Sequence, residues 1–194
     1  MAVIDYYKME SASPYQETMI QVMAKYRKPK SGEEILVWYC PEMPVTTEEA
    51  LWGRFLGGFP KIQRKITFEG YQNRYVGTSY ARDGNTVALK LNLELRRAGL
   101  TSDEKRALDV ISSVSYVTIK DGKVLIWGKT SPGQCMLYDL GRVAPHVWKI
   151  EFGKGSVEYP NDPKNYLYRL GIGRFITGYW LKQKSRFTLK STQE

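Results

Sequence analysis

The stretch "DGNTVALKLNLEL", residues 83–95, most constrains the fold of this chain. After Asp83-Gly84, apolar residues occupy alternate positions, at Val87, Leu89, Leu91, Leu93 and Leu95. Successive side chains of a strand point to opposite faces, so the pattern predicts a strand with one buried and one exposed face. Asp-Gly favours a two-residue hairpin turn, and the pair recurs as Asp121-Gly122 between two further β-rich segments. The chain is therefore expected to contain antiparallel sheet.

Two segments have the pattern of amphipathic helices. Residues 46–57 and 101–114 each begin with a capping box, in which a threonine is followed three residues later by a glutamate, and both carry apolar residues at helical spacing. Together with the strand signals, they predict an α+β fold: a mostly antiparallel sheet of about seven to eight strands with two or three packed amphipathic helices.

The remaining segments complete this outline. Further strands are predicted at residues 35–39, 135–138, 147–152, 166–170 and 175–190. Residues 18–24 fit either a helix or a strand. Residues 1–16 are predicted to be a mobile N-terminal arm and residues 17–194 a single globular α+β domain. A loop rich in glycine, proline and asparagine is expected within it at 153–165.

The chain is strongly basic. Among 194 residues, 29 Lys and Arg stand against 20 Asp and Glu, which gives a net charge of +9. This balance favours a polyanionic partner: nucleic acid, an acidic membrane surface or an acidic protein. Residues 163–193 contain no acid, and such an asymmetry also suits head-to-tail contact between copies of the chain. A homo-oligomer is therefore expected.

Three groups of residues are predicted to bind the polyanion. Cations that neutralise phosphates give salt-sensitive affinity without sequence preference. In the last group, strand alternation places the cations on one face with a tryptophan that is expected to stack on bases. The loop group is Lys25, Arg27, Lys28 and Lys30; the middle group is Lys61, Arg64 and Lys65; and the C-terminal group is Trp180, Lys182, Lys184, Arg186 and Lys190.

Residues that could support catalysis or bind a metal are scarce. His146 is the sole histidine, and its neighbours indicate a partly buried position at the start of a strand. Cys40 and Cys135 are far apart and lie in no CxxC or Cys/His cluster, so neither a zinc site nor a disulfide framework is indicated. Gly171 and Gly173 resemble a fragment of a phosphate-binding glycine loop, but the third glycine is missing, and bulges in a long sheet explain these glycines and Gly178 better. The sequence predicts no catalytic residue, metal or cofactor.

These observations favour a protein that is not an enzyme. The size, the single basic domain and the polar N-terminus are typical of small virion structural proteins of the matrix or coat kind. The leading hypothesis is a self-associating structural protein that binds RNA, a nucleocapsid or an anionic membrane through the three groups. A monomeric or dimeric RNA-binding regulator is the alternative, and an enzyme acting on nucleic acid is the third hypothesis.

The expected location follows from two patterns that the sequence lacks. The N-terminus does not have the charged and then apolar pattern of a signal peptide, and no apolar run approaches the roughly 18 residues of a membrane span. The protein is expected to be cytoplasmic, associated with a virion, or peripheral at a membrane.

Overall fold

A computed structural model describes residues 1–7, 13–96, 101–103, 105–106, 114–127, 147–163, 165–171, 178–183 and 192–193. A 3-10 turn at Glu49–Leu51 leads into helix α1, Trp52–Gly57, and helix α2 is Tyr166–Leu170. The strands are β1 Ala2–Tyr6, β2 Tyr15–Met19, β3 Val22–Arg27, β4 Glu34–Tyr39, β5 Met43–Val45, β6 Lys61–Gln63, β7 Ile66–Tyr71, β8 Arg74–Tyr80, β9 Val87–Arg96, β10 Ser115–Lys120, β11 Lys123–Trp127, β12 Val147–Glu158, β13 Gly178–Gln183 and β14 Thr192–Gln193.

These strands form three sheets. The first has the order β1-β2-β5-β6, the second β14-β11-β10-β4-β3, and the third β13-β12-β9-β8-β7. The pairs β4 with β10 and β5 with β6 are parallel, and the other described pairs are antiparallel. The first sheet, whose strands are only three to five residues long, carries the candidate site.

The prediction of an α+β fold with packed amphipathic helices is wrong, because the described protein is mostly β. Helices α1 and α2 have only six and five residues, against fourteen strands. Helices this short gain little from their own hydrogen bonds. Several strands, such as Met43–Val45 and Lys61–Gln63, are too short to show an alternating pattern, so their pairing partners elsewhere in the chain decide their structure.

Both Asp-Gly hairpins are confirmed. Strands β8 and β9 pair across Asp83-Gly84, and strands β10 and β11 pair across Asp121-Gly122. The φ angles of the two glycines are 71° and 74°, in the left-handed region that favours glycine. On β9, Leu89 and Leu95 are buried, as the alternation predicts. The sequence thus predicted the part of the fold whose contacts are local.

Two clusters of buried side chains form the described core. Ile20, Leu89 and Leu167 make up the first. The second contains Cys40, Met43 and Tyr116, with Met19, Trp38 and Phe59 packed against it. It joins strands of the first and second sheets and lies beside the candidate site.

The predicted helix at residues 46–57 is shorter than expected and exposes its apolar residues. Trp52 and Phe55, which were expected on its buried stripe, are 65% and 64% exposed. Thr46, the predicted capping residue, instead accepts a hydrogen bond of 2.9 Å at Oγ1 from the backbone N–H of Gln16. The first residue of the capping box therefore anchors β2 to the segment before the helix.

Other predicted segments have mixed outcomes. The strand at 35–39 is confirmed as β4, and residues 18–24 divide between β2 and β3. The loop expected at 153–165 is wrong in its first half, which continues β12, and the strand expected at 166–170 is helix α2. Asn165 starts that helix by accepting a 2.8 Å hydrogen bond from the backbone N–H of Leu167, a capping signal that the strand pattern hid.

Some predicted segments lie wholly or partly outside the described residues. Of the strand predicted at 175–190, residues 178–183 form β13, and the others lie outside the described residues. The strand predicted at 135–138 and residues 107–113 of the second predicted helix also lie outside them. Residues 102–103 and 105–106 of that helix are helical. Among the helices of the described part, none is long and apolar enough to cross a membrane.

The N-terminal residues pair with the first sheet. Residues 2–6, within the segment predicted to be a mobile arm, form β1 and pair with β2. Val3 of this strand lies against Gly77 of β8, where an added Cβ would be 2.6 Å from the Val3 side chain. The division into an arm and one globular domain stays a prediction.

Helix α1 is fixed to the β10–β11 hairpin at its C-terminal end. Gly58 ends the helix with a φ of 64°, and a Cβ there would lie 2.7 Å from the carbonyl oxygen of Ile119. The hydroxyl of Thr118 donates a buried hydrogen bond of 2.6 Å to the carbonyl oxygen of Gly57. The hairpin therefore holds the chain that leads from α1 into β6.

Replacing Thr118 with valine tests this attachment. Valine keeps the shape of the side chain but leaves the Gly57 carbonyl without its donor, and an unsatisfied buried group costs about 1–3 kcal/mol. We expect the free energy of unfolding in urea to fall by about that amount. The control variant Thr118→Ser keeps the hydroxyl and should lose less. A Thr118→Val variant as stable as the unchanged protein would show that the hydrogen bond contributes nothing to stability.

Candidate active site

The structure pairs two cations of the loop group with nearby carboxylates. Arg27 contacts Glu34 at 3.0 Å and Lys28 contacts Glu33 at 3.0 Å, both across the turn between β3 and β4. The other two members of the group, Lys25 and Lys30, are exposed. Binding of a polyanion by the loop group stays a prediction.

The other two groups are placed differently. In the middle group, Lys65 lies over the ring of Tyr80, with Nζ 4.6 Å from its centroid, Arg64 is half-buried, and Lys61 is treated below. In the C-terminal group, the backbones of Trp180 and Lys182 belong to β13. The rest of that group lies outside the described residues: Lys184, Arg186 and Lys190. The structure therefore does not bring the three groups together on one described surface, and polyanion binding by these two groups also stays a prediction.

One face of the first sheet collects charged and phenolic side chains. Tyr6 is opposite Tyr15 in the β1–β2 register, and Glu17 is opposite Val45 in the β2–β5 register. Val45 is in turn opposite Gln63, two residues after Lys61. Because paired residues, and residues two apart on a strand, share a face, this register places Tyr6, Tyr15, Glu17 and Lys61 on the same side.

Lys61 and Glu17 form the most buried ion pair among the described residues. Lys61 Nζ is 2.8 Å from Glu17 Oε2, and the two side chains are only 11% and 4% exposed. The pair joins residues 44 positions apart in the sequence. A buried charge is stable only when it is paired and hydrogen-bonded, so each of these groups depends on the other.

Tyr15 lies beside the pair. Its ring lies beneath Lys61, with Nζ 5.4 Å from the centroid, and its hydroxyl is close enough to Glu17 to be affected by the charge of that carboxylate. The rings of Tyr6 and Tyr15 are stacked with centroids 4.6 Å apart. Burial, followed by the charge of Glu17, raises the pKa of both phenols above their usual value. Both phenols therefore stay protonated at neutral pH and are available as hydrogen-bond donors.

A cavity of about 290 Å³, here called the lysine cavity, opens onto Lys61. Its lining residues are Pro41, Glu42, Arg54, Pro60, Lys61 and Ile62. Burial raises the pKa of the Glu42 carboxyl, and the charge of Arg64 partly opposes this. The cavity therefore combines a buried amine, a cation from α1, and a carboxyl whose pKa is raised.

Gly53 leaves room for the Lys61 side chain. A Cβ at residue 53 would be 2.9 Å from Cε of Lys61 and 3.4 Å from Nζ. We therefore expect Gly53→Ala to displace the amine from its place beside Glu17.

The expected result of Gly53→Ala is a loss of activity of about 10-fold or more without loss of the fold, since small misplacements of a reacting group are costly. The measurement is catalytic turnover, with circular dichroism to check the fold. Gly84→Ala is the control, because Gly84 lies in a distant turn with nothing within 4 Å of its added Cβ. A fully active Gly53→Ala enzyme would show that the amine tolerates the shift.

A second cavity, here called the hairpin cavity, adjoins the first. It has a volume of about 620 Å³ and lies between α1 and the β10–β11 hairpin. Arg54 and Pro60 line both cavities. Cys40 also lines the hairpin cavity, and burial raises the pKa of its thiol to about 11, so this thiol is protonated at neutral pH.

Within the described part of the chain, no group of three or more His, Cys, Asp and Glu side chains is arranged to hold a metal ion. His146 and Cys135, which the sequence analysis weighed as catalytic or metal-binding residues, lie outside the described residues.

Five site residues had no role in the sequence-based predictions: Tyr6, Tyr15, Glu17, Glu42 and Arg54. One signal for Glu17 was present, because it is the only charged residue between positions 11 and 24, and a lone acid in an otherwise uncharged strand is a candidate for buried pairing. Lys61 was assigned to a cation group because Arg64 and Lys65 follow it.

Comparison with known families gives one match that spans the chain. Residues 1–192 match the family model for acetoacetate decarboxylase. No curated protein sequence gives a match.

Solved structures with the same fold include two acetoacetate decarboxylases. The Legionella pneumophila enzyme has a TM-score of 0.56 at 14% identity, over 87% of this chain and 63% of that one. A second acetoacetate decarboxylase has a TM-score of 0.60 at 13% identity, over 92% and 68% of the two chains. MppR, an enduracididine biosynthesis enzyme complexed with pyruvate, has a TM-score of 0.52 at 11% identity, over 86% and 61%. The chain thus spans about three fifths of the length of the Legionella and MppR structures.

The family match overturns the leading functional hypothesis. A family of decarboxylases is not one of virion matrix or coat proteins, so the prediction of a viral, RNA-binding structural protein without enzymatic activity is wrong. The prediction failed because charge was the strongest compositional signal and the buried Lys61 was counted as part of it. Self-association, the partners and the location in the cell stay predictions.

Proposed function

Because this chain belongs to the acetoacetate decarboxylase family, we propose that it is an enzyme that forms an imine between Lys61 and the ketone of a keto acid and releases CO₂ from it. The observation that carries the proposal is the buried Lys61–Glu17 pair at the wall of the lysine cavity. Acetoacetate decarboxylase is itself a known example of an enzyme whose nucleophilic lysine is activated by burial or by a neighbouring cation. Here the burial is evident, and Arg54 supplies a cation in the same cavity.

Glu17 has two tasks in this proposal. At 2.8 Å from Nζ it holds the amine in place, and it is the group within hydrogen-bond distance that can take the proton from the ammonium. The neutral amine then attacks the ketone carbon, and loss of the ketone oxygen as water gives the imine. Tyr15, whose ring centroid is 5.4 Å from Nζ, packs beside the amine.

Decarboxylation follows from the imine. Once its nitrogen is protonated, the bond between the α-carbon and the carboxylate breaks, the electron pair moves toward the nitrogen to form an enamine, and CO₂ leaves. A proton then adds to the enamine carbon, and hydrolysis releases the ketone and restores the amine. Glu42 is the carboxyl that lines the lysine cavity, and burial raises its pKa, so we assign it the role of proton donor.

Arg54 is the group of the lysine cavity best suited to orient the substrate carboxylate, because a guanidinium recognises a carboxylate through paired hydrogen bonds. A keto acid is also what the MppR structure contains, in the form of pyruvate. The proposed substrate class is therefore a 3-oxo acid, in which the ketone and the carboxylate are separated by one carbon.

Trapping with sodium borohydride tests the proposal. The purified protein is incubated with acetoacetate and borohydride, which reduces an imine to a stable amine, and the modified lysine is identified by peptide mass spectrometry. We expect the adduct at Lys61 and none at Lys65, four residues later and exposed to solvent. CO₂ release is measured in parallel without borohydride. An adduct confined to exposed lysines, or no adduct at all, would contradict the proposal.

A further inference from the structure

The lysine cavity alone is large enough for acetoacetate. That acid has about seven non-hydrogen atoms, and even at ~30 Å³ each, the share of one water molecule in the liquid, it would occupy roughly 200 Å³. The lysine cavity has about 290 Å³. The adjoining hairpin cavity of about 620 Å³ therefore exceeds what this substrate needs.

Part of the wall of the hairpin cavity is apolar and aromatic, and is formed by Tyr39, Phe55, Phe59 and Ile119. The charged residues Arg54, Lys120 and Asp121 also line it. At its edge, Phe55 and Ile119 are 64% and 52% exposed, although large apolar side chains generally favour burial. Trp52 extends this apolar edge, packing edge-on against Phe55 with ring centroids 6.0 Å apart.

The two cavities share part of their walls. Arg54 and Pro60 belong to both walls, and Pro60 immediately precedes Lys61. A 3-oxo acid whose ketone lies at Lys61 and whose carboxylate lies at Arg54 has one remaining direction of growth, the substituent beyond the ketone. The hairpin cavity is the adjoining space that can receive it.

We propose that the preferred substrate is a 3-oxo acid with an extended apolar substituent, an alkyl chain or an aromatic ring, which occupies the hairpin cavity between α1 and the β10–β11 hairpin. This inference rests on the proposed function, because it assumes imine formation at Lys61. The attachment of Gly57 and Gly58 to the hairpin keeps this cavity open, since it fixes the distance between the two walls.

The first experiment compares acetoacetate with 3-oxooctanoate, which has four more methylene groups. Burying a methylene increases binding up to about fourfold, so we expect kcat/KM for CO₂ release to be at least about tenfold higher for the longer acid. Benzoylacetate provides the aromatic case and should also exceed acetoacetate.

A variant that fills the cavity tests its location. Ile119→Trp places a larger side chain in the hairpin cavity, and we expect the ratio of kcat/KM for 3-oxooctanoate to that for acetoacetate to fall at least about tenfold. Leu36→Trp is the matched control: Leu36 is an exposed apolar residue, 48% exposed, on β4 of the same sheet and outside both cavities. Its ratio should equal that of the unchanged enzyme.

The outcomes separate this inference from the proposed function. If the enzyme prefers acetoacetate, or if Ile119→Trp leaves the ratio of kcat/KM for the two acids unchanged, the proposal of an extended substrate is overturned. Imine formation at Lys61 is not affected by either result. If borohydride traps adducts at Lys61 but no CO₂ appears, the decarboxylation step is overturned. The ratio of the trapping rates for 3-oxooctanoate and acetoacetate then tests whether the longer acid is preferred. If neither acid gives an adduct at Lys61, the proposed function is overturned, and this inference with it.

Discussion

Replacing Lys61 with arginine is expected to reduce kcat/KM for CO₂ release by about 10³-fold or more, because loss of a covalent nucleophile removes the main reaction path. Arginine keeps the positive charge, so Glu17 retains a partner in the interior. Its guanidinium stays protonated at all accessible pH values and cannot attack a ketone. Borohydride should then trap no adduct at position 61.

Two measurements make this result specific. The free energy of unfolding of Lys61→Arg should stay within about 2 kcal/mol of the unchanged protein, because the pair keeps its charges. Lys65→Arg, a matched change at an exposed lysine of the same segment, should leave activity unaltered. Full activity in Lys61→Arg would remove Lys61 from the reaction and direct the search to another amine.

Replacing Glu17 with glutamine should reduce both stability and activity. The Lys61 ammonium would remain in a largely buried site without its counter-charge, and breaking such a pair costs about 3–5 kcal/mol. Without the group that accepts its proton, kcat/KM should fall by about 10²–10⁴-fold. Urea unfolding at pH 7 measures the first effect, and CO₂ release well below the unfolding transition measures the second.

Two further variants show whether burial of the pair is responsible. Glu34→Gln breaks the exposed ion pair with Arg27, in which the nitrogen and oxygen are 3.0 Å apart. This change should lower the free energy of unfolding by less than about 1 kcal/mol. The double variant Glu17→Leu with Lys61→Met removes both charges, so it should be more stable than either single charge removal. If Glu17→Gln and Glu34→Gln cost the same, the Glu17 pair is not sheltered from water.

The features that the sequence predicted correctly are those that depend on residues close together in the chain. The hairpins at Asp83-Gly84 and Asp121-Gly122 need only a turn and flanking strands, and both are present. The helix at 46–57 looked equally local, but its capping threonine bonds to Gln16, thirty positions earlier. A helical pattern of six residues is overridden by such tertiary contacts, since short helices contribute little stability of their own.

The candidate site was beyond local patterns for the same reason. Glu17 and Lys61 meet because β2 and β6 flank β5, and neither a three-residue strand nor its parallel partner has a sequence signature. By its charge alone, Lys61 could not be distinguished from the other lysines and arginines, of which the chain has 29 in all. Only the register of the sheet distinguishes it from the exposed Lys65, and register depends on contacts distant in sequence.

The separation of Lys61 from Glu17 by 44 positions also makes the reactive amine a reporter of the folded state. In the unfolded chain, Lys61 is a lysine like any other, without Glu17 or the Tyr15 ring beside it. The fraction of molecules whose Lys61 can be labelled by a keto acid and borohydride should therefore equal the fraction that has reached the native structure. Active-site titration of this protein would count correctly folded molecules in a preparation, including one in which total protein and secondary structure look normal.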